Sequence, residues 1–384
     1  MWDEVKKFGL QYCDLPTMLW NVAFMLRALA LNIDSRNKTP IPIFVYLLCL
    51  IVALSYFFVY LVSMCWFVFV KCPETGDILA GLIVFSLGIT SEIGTVKLVY
   101  MFIHIDKIKQ IVTETLARDA SVVTNSRFSN NLLKTLRDVK KRAMVFWLVI
   151  IFNGIVYVIK PVILPGRHLM EDKFTLFGLE PMYETPNYQI AFFLMTSGVI
   201  FTCYLPANIT AFLIVITGYI EAQMLALTEE LLHLWEDAEK IIIKTNKRTT
   251  QTFNEHYLSK RNRRDNGHPN AVGFLYLILG LTAELLGGLE KTWLQLPFTM
   301  LQLSVDCYLG QKIKDSNDKF EQAIYDCRWE KFNKSNRKIV LMLLLNSQKT
   351  MTLSAGGMAI LNLRCLMSII KTTYSAYTTL RTMV

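Results

Sequence analysis

The stretch "IPIFVYLLCLIVALSYFFVYLVSMCWFVFV", residues 41–70, decides the fold of this chain. It contains no charged residue, and aliphatic and aromatic side chains fill most of its positions. A helix crosses the hydrocarbon core of a bilayer with about 20 mostly apolar residues. The stretch therefore predicts a transmembrane helix that is long enough to tilt or to project beyond the bilayer.

The composition of the whole chain points the same way. Of its 384 residues, 53% are hydrophobic and 18% are charged, and the mean hydropathy is +0.35. Soluble globular proteins carry about 25% charged residues. The formal net charge is +9, but Lys and Arg cluster between the apolar runs, where membrane topology explains them. We therefore expect a membrane protein and no nucleic-acid partner.

Six further apolar runs follow the first. Each reaches or approaches the length that a membrane-spanning helix needs. They are residues 78–103, 143–164, 188–220, 271–289, 293–310 and 353–380. The predicted fold class is all-α, a polytopic membrane protein with seven transmembrane helices.

Lys and Arg are concentrated in alternate loops: before the first span and after the second, fourth and sixth. Because cytoplasmic loops carry this excess, the N-terminus is predicted to be cytoplasmic and the C-terminus extracellular. The predicted segments are a cytoplasmic N-terminal segment (1–40), the first four spans (41–220), a cytoplasmic helical extension with a basic loop (221–270), the fifth and sixth spans (271–310), an anchor helix (311–349) and the last span (350–384). The extension and the anchor helix are expected to build a cytoplasmic helical anchor bundle.

Several classes of function are disfavoured by the motifs. The eight cysteines form no CxxC pair and the five histidines no metal-spaced set, so no metal, cofactor or enzyme is predicted. G-protein-coupled receptors have the opposite orientation and usually carry a cysteine in the outer loop that corresponds to 165–187, where none occurs here. A membrane transporter stays open as an alternative, although no internal repeat supports it.

The C-terminal stretch "FEQAIYDCRWEKFNKSNRKIVLMLLLNSQKTMTLSAGGMAILNLRCLMSIIKTTYSAYTTL", residues 320–380, resembles the insect odorant receptors. The resemblance covers roughly the last 65 residues, and elsewhere only the order, orientation and loop lengths of the spans match. Two residues depart from the pattern, Thr350 after Gln-Lys and Tyr377 in place of Phe. The matching residues are Ala323, Ile324, Tyr325, Trp329, Arg337, Lys338, Gln348, Lys349, Leu353, Gly356, Gly357, Asn362, Ile369, Ile370, Lys371, Tyr374, Ser375 and Thr378.

The resemblance implies an odorant-gated, non-selective cation channel in the plasma membrane of olfactory sensory neurons. In that family an odorant-specific subunit joins a shared odorant co-receptor in a heterotetramer, embedded in membrane lipid. The long intracellular loop of the co-receptor is missing, so the chain looks like the odorant-specific, tuning subunit. Its ligand would be small, volatile and mostly apolar or aromatic. A gustatory-type chemoreceptor channel of the same superfamily is the nearest alternative.

Two sets of site residues follow from the spans together with the resemblance. The family's pore is lined by the last helix, where hydroxyl residues recur at steps of three and four; close helix packing is the competing explanation. The family's pocket lies in the outer half of the spans, where aromatic and polar residues one turn apart suit a ligand, although each taken singly is often lipid-facing or core. The predicted pore-lining residues are Ser368, Thr372, Ser375, Thr379 and Met383, and the predicted ligand-binding residues are Phe85, Asn153, Tyr157, Phe193 and Ser197.

Overall fold

The computed structural model describes residues 6–76, 78–172, 174–246, 295–349, 351–355 and 359–372. The predicted fifth span, most of the basic loop and the predicted pore residues Ser375, Thr379 and Met383 lie outside these ranges. The described structure is almost entirely helical. Its elements are α1 (Leu15–Arg27), α2 (Ile43–Thr75), α3 (Ile78–Ile103), α4 (Ile105–Ala120), α5 (Arg127–Ile163), α6 (Asn187–Asn246), α7 (Gln295–Asp326), α8 (Lys334–Ser347), β1 (Ser354–Ala355), β2 (Ala359–Ile360) and a final helix, α9, beginning at 363.

Three of the described helices are long and apolar enough to cross a membrane. They are Ile43–Thr75, Arg127–Ile163 and Asn187–Asp237, which contain the predicted first, third and fourth spans. α3 coincides with the predicted second span, and α7 contains the predicted sixth span but continues well beyond it. α2 includes two wider, π-helical segments, Phe58–Ser63 and Phe67–Lys71, among its α-helical turns.

The chain divides into two compact units. The first comprises residues 1–123, 133–219 and 295–306, and the second comprises 124–132, 220–294 and 307–384. In the first unit, α5 and α6 pack closely, since a β-carbon placed at Gly154 would lie 2.8 Å from the sulfur of Cys203. The indole of Trp147 donates a hydrogen bond of 3.1 Å to Asn208 at the same contact. Small residues allow this approach, which is common between helices in membranes.

The N-terminal segment folds into the first unit, which the sequence pattern does not reveal. Asp14 caps α1 by accepting from the backbone of Thr17 at 3.0 Å, as short acidic side chains do at helix starts. The buried ammonium of Lys140 on α5 donates to the backbone carbonyls of Lys7, Gly9 and Tyr12 at 2.9, 2.8 and 2.5 Å. These bonds satisfy a buried cation and fix the segment that precedes α1.

An ion pair joins α3 to the first part of α7. The ammonium of Lys97 lies 2.8 Å from the carboxylate of Asp306, and the two side chains are only 22% and 17% exposed. Ionisable groups in membrane-spanning helices are costly unless they face a cavity or one another. The two charges therefore stabilise this helix contact by meeting each other away from solvent.

The predicted anchor helix, 311–349, is two helices rather than one. α7 ends at Asp326, a short 3₁₀ turn covers Trp329–Lys331, and α8 begins at Lys334. Arg328 adopts a left-handed conformation with φ 56°, which an α-helix does not accommodate. Asn333 then caps α8 by accepting from the backbone of Asn336 at 2.9 Å. Helical spacing alone did not show this break.

The last span also begins later than predicted. Residues 354–360 carry the short antiparallel pair β1 and β2, and helix resumes only at 363. Asn362 supplies the start signal, because its side chain accepts from the backbone of Cys365 at 2.8 Å. The helical part of the predicted 350–384 segment is therefore shorter than its apolar run.

Glycine 310 brings this hairpin close to α7 within the second unit. A β-carbon at Gly310 would overlap the backbone carbonyl of Leu361, and the backbone of Leu363 donates to Gln311 at 3.5 Å. The start of the last helix is thereby held against α7. The contact leaves no room for any larger residue at position 310.

We predict that Gly310→Ala lowers the thermal unfolding midpoint of the purified protein, because overpacking against backbone costs about 1–3 kcal/mol. Gly88→Ala is the matched control: its added carbon would lie 3.5 Å from the sulfur of Met64, which is ordinary contact. The control should be neutral or slightly stabilising. Equal midpoints for the two variants would contradict the close approach of Leu361.

Candidate ligand and pore sites

Tyr157 is the predicted site residue with the clearest partner. It lies half-buried on α5, and its hydroxyl donates a short hydrogen bond to the carboxylate of Glu171. Glu171 belongs to the loop between α5 and α6, and it also interacts electrostatically with the buried Tyr60 on α2. Sequence reasoning selected Tyr157 by its spacing and missed Glu171, because no pattern along the chain links the two.

The loop between α5 and α6 packs onto the first unit instead of extending into solvent. Phe174 is 1% exposed and meets Phe67 edge-on, with ring centroids 5.6 Å apart. Phe177 meets Trp66 in the same way at 5.4 Å. Loop residues Leu169, Met170, Leu176 and Met182 are buried as well. This loop, residues 164–186, therefore forms a cover over one end of the helices of the first unit.

An aromatic cluster lies further along α2. The rings of Tyr56 and Tyr60 stack at 5.2 Å, and Phe201 of α6 lies 5.0 Å from Tyr56. Gly198 makes the contact possible, since a β-carbon there would lie 2.7 Å from the ring of Tyr60. Sequence reasoning missed this cluster, although the aromatic residues one turn apart in α2 offered a signal.

The other predicted ligand residues occupy varied surroundings. Asn153 lies one helical turn from Tyr157 on α5, and Ser197 on α6 is likewise half-buried. Phe85 is 45% exposed and touches Phe69, with ring centroids 6.5 Å apart. Phe193 is 61% exposed, on a different side of α6 from its buried residues. The structure thus groups Asn153 with Tyr157 and places Phe193 on an outer surface.

Two of the predicted pore residues lie within the described part of the last helix. Ser368 and Thr372 are both exposed, and the hydroxyl of Thr372 donates to the backbone carbonyl of Ser368 at 2.9 Å. Arg364 and Lys371 are exposed on the same helix. The hydroxyl oxygens keep lone pairs available, so the stripe can offer acceptors to water or to a cation.

The chain resembles known proteins in one segment of its sequence and in its fold. Residues 297–374 match a family model described as "7tm Odorant receptor". The fold matches the insect olfactory receptor OR5 from Machilis hrabei, with TM-score 0.64, 14% identity, and coverage of 95% of this chain and 98% of that one. OR5 in complex with eugenol matches with TM-score 0.67, 14% identity and coverage of 96% and 99%. The chain therefore shares the fold of an insect olfactory receptor, and its C-terminal segment matches the odorant receptor family model.

The matched family model describes a receptor rather than an enzyme, in line with the expectation from the sequence. The fold shared with OR5 and the apolar helices make the chain a helical, multi-pass membrane protein.

We predict that Tyr157→Phe loosens the cover formed by residues 164–186. A hydrogen bond to a charged group contributes about 1.5–3 kcal/mol, so amide hydrogen exchange in the cover should accelerate roughly 10- to 150-fold. Glu171→Gln should produce a similar change. Tyr183→Phe is the control, because the Tyr183 hydroxyl donates at 3.2 Å to a neutral acceptor, the backbone carbonyl of Asp172. An unchanged rate of amide exchange in Tyr157→Phe would show that this hydrogen bond does not hold the cover in place.

Proposed function

We propose that this chain is an insect odorant receptor, namely the odorant-specific subunit of a non-selective cation channel that acts with the shared co-receptor in a heterotetramer. The observation that carries the proposal is the last helix, where Ser368 and Thr372 form an exposed hydroxyl stripe inside the segment that matches the family. Hydroxyl oxygens can replace part of the hydration shell of a permeating ion. An exposed polar face in an apolar span fits a water-filled conduit formed between subunits.

The proposed topology has seven spans, with the N-terminus in the cytoplasm and the C-terminus outside. In this topology the second and sixth spans run in the same direction, from outside to inside. Lys97 lies six residues before the end of α3 at Ile103, and Asp306 lies four residues before position 310, the predicted end of the sixth span. These offsets correspond to about 9 and 6 Å of helix, so the ion pair joins groups at similar depth. The pair therefore supports the proposal that the second and sixth spans run in the same direction.

The proposed subunit contact is the cytoplasmic anchor. α8 carries large apolar residues that are exposed in the single chain, among them Leu341, Met342 and Leu345 at 55%, 65% and 56%. Within the second unit, Phe332 stacks on Trp235 at 6.1 Å and the ammonium of Lys331 lies 5.0 Å from the Trp235 ring. Exposed apolar patches on ordered helices mark interaction surfaces. We assign this one to a neighbouring subunit of the tetramer.

The proposed ligand site lies in the outer half of the first unit. Asn153, Tyr157 and Ser197 supply hydrogen-bonding groups, while Phe85 and Phe193 supply aromatic surface. An insect receptor with this fold, OR5, has been solved with eugenol bound, which supports a small aromatic or apolar ligand here. Such ligands bind mainly by apolar contact, with a few hydrogen bonds fixing their orientation. The proposed location is the plasma membrane of olfactory sensory neurons.

We predict that cells expressing this chain together with the co-receptor give an odorant-evoked cation current, and that cells expressing the chain alone do not. The reason is that the proposed conduit is complete only in the mixed tetramer. A panel of volatile aromatic and aliphatic compounds is the appropriate stimulus. The co-receptor alone is the control, and its response to the panel must be subtracted. A robust current from the lone chain would contradict the proposal.

We predict that Thr372→Cys reacts with a charged thiol reagent and reduces the evoked current, whereas Ile369→Cys does not. Both residues belong to the described part of the last helix, but Thr372 is exposed on the hydroxyl side and Ile369 is half-buried. Cys365→Ser in the same background removes a competing thiol. Because only some subunits carry the change, the block should be partial. Equal effects at both positions would leave helix packing as the reason for the hydroxyl stripe.

A further inference from the structure

Four oxygen-bearing side chains meet between α2 and α3 in the first unit. Tyr56 reaches from α2 towards Ser91, Glu92 and Thr95, which occupy consecutive turns of α3. Tyr56 is 0% exposed, and Glu92 is half-buried. Both helices belong to predicted spans, and the four residues lie near the middle of each. The set therefore faces the interior of the bilayer-spanning part of the receptor.

The four oxygen-bearing groups lie close together. Tyr56 and Glu92 come within reach of hydrogen bonding with each other and with Thr95. Yet the hydroxyl of Tyr56, the Oε1 atom of Glu92 and the hydroxyl of Thr95 are buried and reach hydrogen-bonding geometry with no group in the described part of the chain. An unpaired buried hydroxyl or carboxylate oxygen is costly. Three such atoms close to one another point to a ligand that binds to oxygen.

The charge of Glu92 indicates that the ligand carries a positive charge. Among the described residues, Glu92 makes no ion pair, and the nearest cation along α3, Lys97, is already engaged by Asp306 at 2.8 Å. A carboxylate in a membrane-spanning helix requires a compensating positive charge. Water would satisfy the hydrogen bonds but would leave the charge uncompensated.

We propose that Glu92, Tyr56, Ser91 and Thr95 bind a monovalent metal cation, Na⁺ or K⁺, between α2 and α3. Carboxylate and hydroxyl oxygens are ligands for hard cations. One carboxylate balances one positive charge, whereas divalent sites in proteins recruit several carboxylates. The hydroxyl of Ser91 donates to the backbone carbonyl of Gly88 at 2.8 Å, which leaves its lone pairs directed outward as acceptors.

The bound ion would make the contact between α2 and α3 depend on the surrounding salt. The site lies on helices of the first unit, apart from the proposed pore residues of the last helix. It is therefore independent of whether the chain conducts ions, and it can be tested on purified receptor without recording current.

The test is thermal unfolding of the purified receptor in NaCl, KCl or choline chloride at equal ionic strength. Choline is too large for a site formed by four side chains. We expect a saturable rise in the unfolding midpoint with Na⁺ or K⁺ over choline, about 2 °C at ten times the dissociation constant. Glu92→Gln, which keeps the shape and removes the charge, should abolish the rise, and Tyr56→Phe should shift it to higher salt.

Glu180→Gln is the matched control, since Glu180 is a carboxylate paired with Lys71 at 2.7 Å in the outer loop. It should keep the full dependence on Na⁺ or K⁺. Equal midpoints in the three salts, or an undiminished rise in Glu92→Gln, would overturn the proposal. A midpoint that rises between pH 8 and pH 6 in choline, with no response to Na⁺ or K⁺, would assign the compensating charge to a proton instead. Should Glu92→Gln fail to fold, Tyr56→Phe decides alone, and an unshifted salt response in it excludes the site.

Discussion

The cost of placing charge in a membrane-spanning interior governs the arrangement of the first unit. Lys97 and Asp306 are acceptable in their helices because each supplies the other's counter-charge. Removing one partner of such a buried pair costs about 3–5 kcal/mol, since the remaining charge has no compensation. The pair therefore fixes which face of α3 meets the first part of α7. Lys140 obeys the same rule with three backbone carbonyls in place of a carboxylate.

The second unit relies on pairs that are more open to solvent. Arg127, at the start of α5, donates to Glu230 at 2.9 and 2.6 Å and to Asp237 at 2.8 Å on α6. These two carboxylates raise the pKa of Arg127, and Arg127 in turn lowers the pKa of Asp237. A single exposed ion pair contributes little to stability. The paired hydrogen bonds of the Arg127 guanidinium therefore matter more than its charge. Aromatic stacking of Trp235 on Phe332 adds apolar contact to the same unit.

Hydropathy predicted the first, third and fourth spans because crossing a bilayer demands only length and apolarity. It did not predict α1, whose short buried face resembles any amphipathic segment. The late start of the last helix was not predicted for another reason. The residues of the hairpin are as apolar as those of a membrane-spanning helix, and the position of the hairpin depends on the contact between Gly310 and Leu361. Tyr157 was selected by spacing alone, whereas its partner Glu171 comes from a loop that no periodicity describes.

The proposed ligand residues and the proposed pore residues fall in different units. Proposed ligand residues such as Tyr157 belong to the first unit, while the proposed pore stripe at Ser368 and Thr372 belongs to the second. Three helices, α5, α6 and α7, contribute residues to both units. A helix transmits displacement along its axis because its backbone hydrogen bonds resist bending. Asp306, in the part of α7 that belongs to the first unit, pairs with Lys97. Gly310 lies about one turn further along α7, in the second unit, and contacts the residues that precede the last helix. α7 therefore carries, about one turn apart, the contact with α3 and the contact with the residues that precede the last helix.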